Sequence, residues 1–568
     1  MLSRAAFAQQ TQTTEQDRLI ATARLWGTVK YFHPYLAYRD IDWDKALVDA
    51  LPQIRAAANP GDYAQALSGM LDALHDPITY VHIGPPHAAL DSGSGSIGQR
   101  TWIHFGLAGS SFAARAGFAG VDTIAIPMGE GVEAVVRLSE GVFPETRPAG
   151  ALPQPAVPAP QADRAYSAMR LPPVEYRILA AYKIWAVVRN FFAYRDLMDE
   201  DWDDVFALFL PSFIAAKDAR EYNLLVAEMM THVADSNVQV ESAELAEYFG
   251  ESPVPVRVRL IEKRPVVTAV LNEDAKNAGV HVGDIVDKVD GEDVRDRIKQ
   301  EAKYIASSTQ QALGASVTAR ILNGRAGSTA TLALHNTEGQ SKEVAFKRAN
   351  PGKGKLDPQR SGEALNMLAG GVGYADLDRL ASDHVEQVFE KFRDAKAIIF
   401  DGRGSTDGLG PLIAAHLTRQ RDVASAIVTG PLTVTPDLLR PGVLTSTASF
   451  FRIDALPPPR EPTYSGKTVM LIDERTRGEA EHTGLCLEAA NNTAFVGSAS
   501  AGADGEIDSF VVPGGITISY SSDDVRHANG GKLQRLGLQP QESVTPTIAG
   551  IRSGRDEVLE RAIEYVTR

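Results

Sequence analysis

Apolar and polar positions along this chain follow a helical period first and a strand period later. Leu19, Ala23, Trp26 and Lys30 fall at helical spacing with the apolar ones on one face, which predicts a helix. Asp42 stands where a helix opening at Trp43 needs an N-cap. The pattern then returns at an offset of 159 residues. Arg18-Leu-Ile-Ala-Thr-Ala-Arg-Leu-Trp26 matches Arg177-Ile-Leu-Ala-Ala-Tyr-Lys-Ile-Trp185. The match runs without a gap through Phe32 and Phe191, Tyr35 and Tyr194, Asp42-Trp43-Asp44 and Asp201-Trp202-Asp203, Leu51-Pro52 and Leu210-Pro211, Tyr63 and Tyr222, to Asp76 and Asp235. So many identities at one offset predict an internal repeat. Each copy, residues 15–90 and 171–250, reads as a small helical unit whose aromatic residues serve helix packing.

Between the copies, residues 91–147 read as a β-rich insert, with strand-like runs at 101–107 and 121–127. A Pro/Ala-rich stretch at 148–160 makes residues 148–170 an extended linker. Val254 to Ile261 alternates as a half-buried strand does, opening a unit over 253–348. From 354 to 568 short apolar runs alternate with helical stretches. Ala397–Phe400 and Val469–Ile472 read as buried strands, and Pro411–Arg419, Glu479–Ala490 and Asp556–Val566 as helices. That alternation predicts a mainly parallel sheet in a multidomain α/β protein.

Composition narrows the function. A chain of 568 residues has room for roughly three to five domains. A net charge of −15, without a basic cluster, argues against nucleic acid or an anionic membrane as partner. No stretch reaches the ~18 apolar residues of a membrane span. The single cysteine, Cys486, excludes an internal disulfide and a cysteine-rich zinc site, and its apolar helical surroundings make it a core residue. Ala6-Phe7-Ala8 before Gln9-Gln10 reads like the end of a secretory signal that lacks its apolar centre. A periplasmic or secreted protein is the expectation.

The chemistry centres on Lys467-Thr-Val-Met-Leu-Ile-Asp473-Glu-Arg-Thr-Arg-Gly478-Glu-Ala-Glu481-His-Thr. A strand that feeds a helix N-terminus is a favourable place to stabilise an oxyanion. This segment resembles the tail-specific (C-terminal-processing) serine peptidase family, above all its tricorn-like branch. There the turn reads Ser-x-x-Glu; here Gly478 stands at the nucleophile position and Glu481 is kept. Other stretches carry the same resemblance. Asp401-Gly-Arg403-x-x-x-x-Gly408 is similar to the strand end whose glycine lines the oxyanion hole. Phe495-Val-Gly497-Ser-Ala-Ser-Ala-Gly502 and Gly537-Leu-Gln-Pro540, with Gln541 in place of an aspartate, resemble two further motifs. Leu271 to Glu292, with its Ala-Gly turn, Gly283-Asp284 and Asp290-Gly291, resembles the core of a PDZ domain, a module that takes peptide C-termini by strand addition. Its usual carboxylate loop is not recognisable.

The resemblance implies a crotonase-like α/β peptidase core over 354–568, a PDZ-like domain and duplicated helical units. It implies peptides or unfolded protein C-termini as substrate, with no cofactor and no metal. It also assigns site residues. One branch takes its base from a lysine whose position here is Ala503, beside Asp504. The tricorn-like branch takes a histidine from Asp-Ser-His, matched by Asp235-Ser236-Asn237, and a late glutamate matched by Gln534. Backbone N–H groups near Gly408 and Glu479 would hold the oxyanion. Glycine cannot attack and asparagine has no basic nitrogen, so a disabled peptidase is expected, with a non-catalytic peptide-binding protein as the alternative.

Substitute residues are weaker candidates. Ser405, Thr406, Ser498 and Ser500 read as turn formers, and His482 as a helix residue. His75, Asp76, His82 and His87 cluster in sequence without a standard metal spacing. Asp284, Asp287 and Asp290 do not fit a calcium loop, and Gly402, Gly404 and Gly408 lack the ending of a phosphate loop.

Overall fold

The computed structural model describes residues 2–85, 99–114, 122–141, 164–336, 338–348, 362–433, 435–436 and 448–568. His87 and the Pro/Ala stretch at 148–160 lie outside them. The chain forms two compact units. One comprises Met1–Leu225, Gly430–Phe450 and Asp508–Ile518, the other Val226–Thr429, Phe451–Ile507 and Ser519–Arg568.

The first unit is built on helices α1 (Leu2–Phe32), α2 (Trp43–Ala56), α3 (Pro60–Leu71), α4 (Val174–Phe191) and α5 (Trp202–Ala215). Asp42 caps α2 by accepting the Lys45 N–H, and Asp201 caps α5 by accepting the Asp203 N–H. The contacts repeat at the 159-residue offset. Trp43 Nε1 donates to the Trp26 carbonyl at 3.0 Å, and Trp202 Nε1 to the Trp185 carbonyl at 3.0 Å. Lys30 pairs with Asp44 at 3.1 Å, and Arg189 with Asp203 at 2.5 Å. The remaining pairs cross over. Lys183 of α4 reaches Asp44 at 2.8 Å, and Arg24 of α1 reaches Asp203 at 3.4 Å. Lys183 is fully buried. Burial alone would push the Asp44 carboxyl up, but Lys30 and Lys183 hold it down at about 2.

This unit also holds a small antiparallel sheet of β1 (Tyr80–Ile83), β2 (Thr123–Gly129) and β3 (Val132–Arg137), in the order β1-β3-β2. Here the acidic and histidine residues of the first copy find separate partners. Asp76 lies 3.1 Å from His33 Nε2 and 3.2 Å from Arg137, and His82 lies 3.2 Å from Glu133.

The second unit holds two sheets that matter for the site. The first is antiparallel, with β4 (Val256–Ile261), β5 (Arg264–Val270), β6 (Ile285–Val289), β7 (Thr329–His335) and β8 (Ser341–Lys347) in the order β8-β7-β6-β5-β4. Val256 and Val258 point into its core, so Arg257 and Arg259 leave the opposite face. Helix α6 (Gln310–Arg320) packs on β4, where a Cβ at Gly314 would come within 2.9 Å of Leu260 Cδ1 and make that side chain shift.

The second sheet runs β9 (Leu365–Leu368), β10 (Val372–Asp376), β11 (Ala397–Asp401), β12 (Lys467–Ile472), β13 (Ala494–Gly497) and β14 (Glu542–Ser543), in that spatial order. Only β9 is antiparallel to its neighbour. Alternation explains why the strands read as unbroken apolar runs: both faces are covered. Ile398, Phe400, Met470 and Ile472 pack with Leu409 and Ile413 of α7 (Leu409–Leu417) and with Leu485 and Leu487 of α8 (Glu479–Asn491). Ile399, Val469, Leu471 and Val496 pack with Val558, Ala562 and Val566 of α9 (Glu557–Thr567). Helix α7 starts two residues before the Pro411 expected from sequence, because the Leu409 N–H already closes a turn onto the Thr406 carbonyl at 2.9 Å. It ends at Leu417, since Thr418 is extended.

Candidate active site

The site lies in the second unit, at the carboxyl end of β12. Thr468 to Ile472 are buried, and the chain then turns sharply. Thr476 fixes the turn: its hydroxyl accepts the Asp473 N–H at 3.1 Å and donates to the Gly402 carbonyl at 2.8 Å. The Asp473 carboxylate receives Arg475 at 2.7 Å and Arg259 at 2.9 Å. Burial pushes this carboxyl up, but the two guanidinium groups outweigh it and hold it well below the usual range.

Gly478 joins the turn to α8 with φ +56° and ψ −120°. An L-residue adopts such a backbone only with strain, and nucleophile elbows hold their serine in a strained turn of this kind. A Cβ added at Gly478 would meet only the Ala503 carbonyl oxygen, at 3.9 Å. The elbow therefore has space for a side chain that the sequence does not supply.

Glu481 holds the elbow from beneath. It is fully buried and accepts the N–H groups of Gly478 at 3.3 Å, Gly502 at 2.7 Å and Ala503 at 2.9 Å, and the Ser500 hydroxyl. Burial pushes its carboxyl up to about 7, opposed by those donors and reinforced by the nearby Asp504 charge. Ser500 also accepts the Leu538 N–H at 2.7 Å, so its hydroxyl is committed to structure.

Asn237 reaches the same place from the other side. Its Nδ2 donates to the Ser521 hydroxyl at 3.0 Å and to the Ala503 carbonyl at 3.4 Å. That carbonyl also accepts the Gly478 N–H at 3.1 Å. The buried Asp235 accepts the N–H groups of Asn237 and Ser521, each at 3.1 Å, and Gln534 Nε2 at 3.2 Å. Gln534 Oε1 is buried without a hydrogen-bond partner. Ser236 turns away: it exchanges backbone-to-hydroxyl bonds of 2.9 Å with Ser308.

Two helix N-termini meet beside the elbow. Gly408, with φ +73°, caps α7, and Glu479 opens α8. Thr406 ties them, donating to the Glu479 carbonyl at 3.1 Å and lying 2.9 Å from the Thr483 hydroxyl. The opening N–H groups of a helix have no intrahelical acceptor and favour negative charge. His482, one turn into α8, pairs with Asp504 at 3.2 Å. That hydrogen bond, above all, pushes the imidazole up to about 11 despite partial burial, so it carries a proton at neutral pH and is no base. Ser405 spends its hydroxyl on Asp407 at 2.6 Å.

Gly478, Asn237, Glu481 and Gln534 are thus linked by hydrogen bonds through Ala503 and Asp235, whereas Ser236 serves the 307–308 loop. Sequence reasoning missed Ser521 and Ser308, which no local spacing marks.

No family model and no curated protein matches the chain in sequence. Solved structures do match in shape. A crystal structure of a serine-to-alanine mutant of CPAF superposes with a TM-score of 0.52 at 14% identity, over 70% of this chain and 98% of its own. Mature CPAF gives a TM-score of 0.50 at 14% identity, over 69% of this chain and 96% of its own. The chain shares the CPAF fold. The resemblance to tail-specific peptidases drawn from the motifs therefore holds at the level of fold. The photosystem II D1 C-terminal processing protease overlaps more loosely, with a TM-score of 0.40 at 14% identity over 65% of this chain and 93% of its own.

Proposed function

We propose that this chain is a tail-specific, tricorn-like serine peptidase scaffold whose own catalytic centre is disabled, and that it binds peptides or unfolded protein C-termini. In this reading residues 354–568 form a crotonase-like core, 253–348 a PDZ-like domain, and the two helical units a duplication. An exported, periplasmic or secreted location belongs to the same reading.

One observation carries the proposal. The nucleophile and base positions meet at the Ala503 carbonyl, yet each presents only an N–H donor there: the Gly478 backbone at 3.1 Å and Asn237 Nδ2 at 3.4 Å. Acyl transfer needs a nucleophile and a base to deprotonate it. Gly478 has no side chain, Asn237 has no basic nitrogen, and Gln534, at the third position, is neutral. Removing a serine peptidase's nucleophile alone costs on the order of 10⁶ in turnover, leaving roughly 10³ to 10⁴ over water from binding and the oxyanion hole. The N–H groups near Gly408 and Glu479 fit that residual role.

The test is cleavage of a peptide library read by mass spectrometry, together with labelling by a fluorophosphonate. This chain is compared with a Gly478→Ser, Asn237→His, Gln534→Glu variant. Cleavage and labelling by the variant alone are expected. Equal cleavage by both chains would place the catalytic residues elsewhere. Peptide binding with silence from both would make the protein a binding module whose site was never one substitution set away from hydrolysis.

A further inference from the structure

Helix α4 is covered on all sides: every residue from Arg177 to Phe191 is buried. Such a helix needs a neighbour on each face, and the first copy supplies one of them. Tyr182, Trp185 and Ala186 form a stripe at helical spacing. The Tyr182 hydroxyl donates to the Leu19 carbonyl at 2.5 Å, and its ring stands 6.3 Å from that of Trp26. Gly27 is the tight point. A Cβ there would lie 3.2 Å from Ala186 Cβ and 3.5 Å from the Trp185 ring.

This contact has the geometry of a two-fold. Gly27 and Ala186 are the same position in the two copies, 159 residues apart, so the copies meet on the line that would exchange them. Away from that line the ion pairs come in exchanged order. Arg24 is equivalent to Lys183, and Asp44 to Asp203. Arg24 reaches Asp203 at 3.4 Å, and Lys183 reaches Asp44 at 2.8 Å. When residue i of one body meets j of the other, and j meets i, the interface is isologous, the kind that joins identical subunits. The strand Gln99–Phe105, which follows the first copy, adds an antiparallel contact, the sense a two-fold across a sheet allows. Phe105 stands opposite Leu432, and His104 opposite Thr433.

The first copy keeps the contact without the site chemistry. Asp76 repeats Asp235, but Pro77 and Ile78 stand where the second copy has Ser236 and Asn237. Asp76 is spent on His33 at 3.1 Å and on Arg137 at 3.2 Å.

We infer that the first copy is a built-in partner: it takes, within one chain, the place that a second copy of the 171–250 unit would take. The protein is then a monomer with one candidate site. This rests on reading the helical units as a duplication. It goes further by making the covalent link dispensable and the positions on the exchange line interchangeable.

The experiment severs the full chain without removing any part of it. A site-specific protease sequence replaces part of 148–160, and the folded protein is cleaved there. Sedimentation velocity at micromolar concentration should show the intact chain as a monomer and the cleaved chain with its halves held one to one. A dilution series then gives the dissociation constant of the halves. Gly27→Leu forces a side chain against Ala186 and should weaken the cleaved halves by roughly tenfold or more. The intact chain should stay closed in that variant, since a tether supplies an effective concentration on the order of millimolar. Gly27→Ala combined with Ala186→Gly exchanges the two residues; the helix propensity gained at one position is lost at the other. This double variant should leave the dissociation constant nearly unchanged.

A stable dimer of the intact chain would overturn the inference. Halves that drift apart on cleavage of the unaltered sequence would overturn it while leaving the duplication standing. An exchange variant as weak as Gly27→Leu would show that the two positions are not equivalent, and the duplication reading would fall with the inference. Gly27→Leu without effect on the halves would overturn the proposed contact alone.

Discussion

Gly478 and Asn237 are held to one acceptor. The Ala503 carbonyl receives the Gly478 N–H at 3.1 Å and Asn237 Nδ2 at 3.4 Å. The two residues are 241 positions apart in sequence, and the fold brings them to a single oxygen at the mouth of a parallel sheet. A strand-to-helix turn is held there at φ +56°, and the side chain beside it offers a donor.

The elbow's backbone predicts a cost for restoring the serine. At φ +56° and ψ −120° a side chain fits in space but not in conformation. Gly478→Ser and Gly478→Ala should each lower stability by roughly 1–3 kcal/mol. Urea unfolding of the three chains measures this, and an unchanged midpoint would mean the turn relaxes.

Glu481 predicts a pH dependence. Burial lifts its folded pKa to about 7, above the ordinary 4.5 of a glutamate. Between those values the folded chain binds more protons than the unfolded chain, so this group's contribution to stability falls as pH rises. Acidification from pH 7 to pH 5 should therefore stabilise the second unit through Glu481. Glu481→Gln should flatten that slope and cost about 1–3 kcal/mol, because its amide NH₂ would face buried N–H donors. Unfolding curves at several pH values give both quantities.

His482 should remain an imidazolium across the neutral range. Its pair with Asp504 raises it to about 11. NMR of the ring protons from pH 5 to pH 9 should show no titration for this residue, and Asp504→Asn should bring its midpoint down towards the ordinary histidine range. A midpoint near neutrality in the unaltered chain would reopen His482 as a base.

Asp44 carries a larger stake than its counterpart Asp203. Asp44→Asn removes a buried carboxylate that two lysines, Lys30 and Lys183, both contact, and breaking a buried pair from one side typically costs about 3–5 kcal/mol. Asp203 is itself less buried than Asp44, and one of its two partners, Arg24, is exposed, so Asp203→Asn should cost less. With its folded pKa depressed to about 2, Asp44 contributes stability above the ordinary aspartate value of 3.8 that is lost as pH falls towards 2. Thermal unfolding of both variants ranks them.

The cluster of candidate residues around Ala503 could be picked out in part from sequence because short motifs carry it. Gly478 and Glu481 sit three apart at a strand-to-helix turn, and Asp235-Ser236-Asn237 is a contiguous triplet. Gln534 could be placed only by counting back from Gly537, and the structure sets it against Asp235 at 3.2 Å. Ser521 and Ser308 were not legible: each is an ordinary serine whose role arises from what the fold packs beside it. The pairing of Lys183 with Asp44 was hidden for the same reason. The repeat aligns lysine with arginine and aspartate with aspartate, but whether each cation serves its own copy or the other depends on how α1 meets α4.

The crossed pairing of Arg24 with Asp203 and Lys183 with Asp44 makes each helical copy hostage to the other. Cutting away the opening helices to obtain a shorter protein would take Asp44 from the buried Lys183. A charge reversal on one side would therefore call for its mirror on the other.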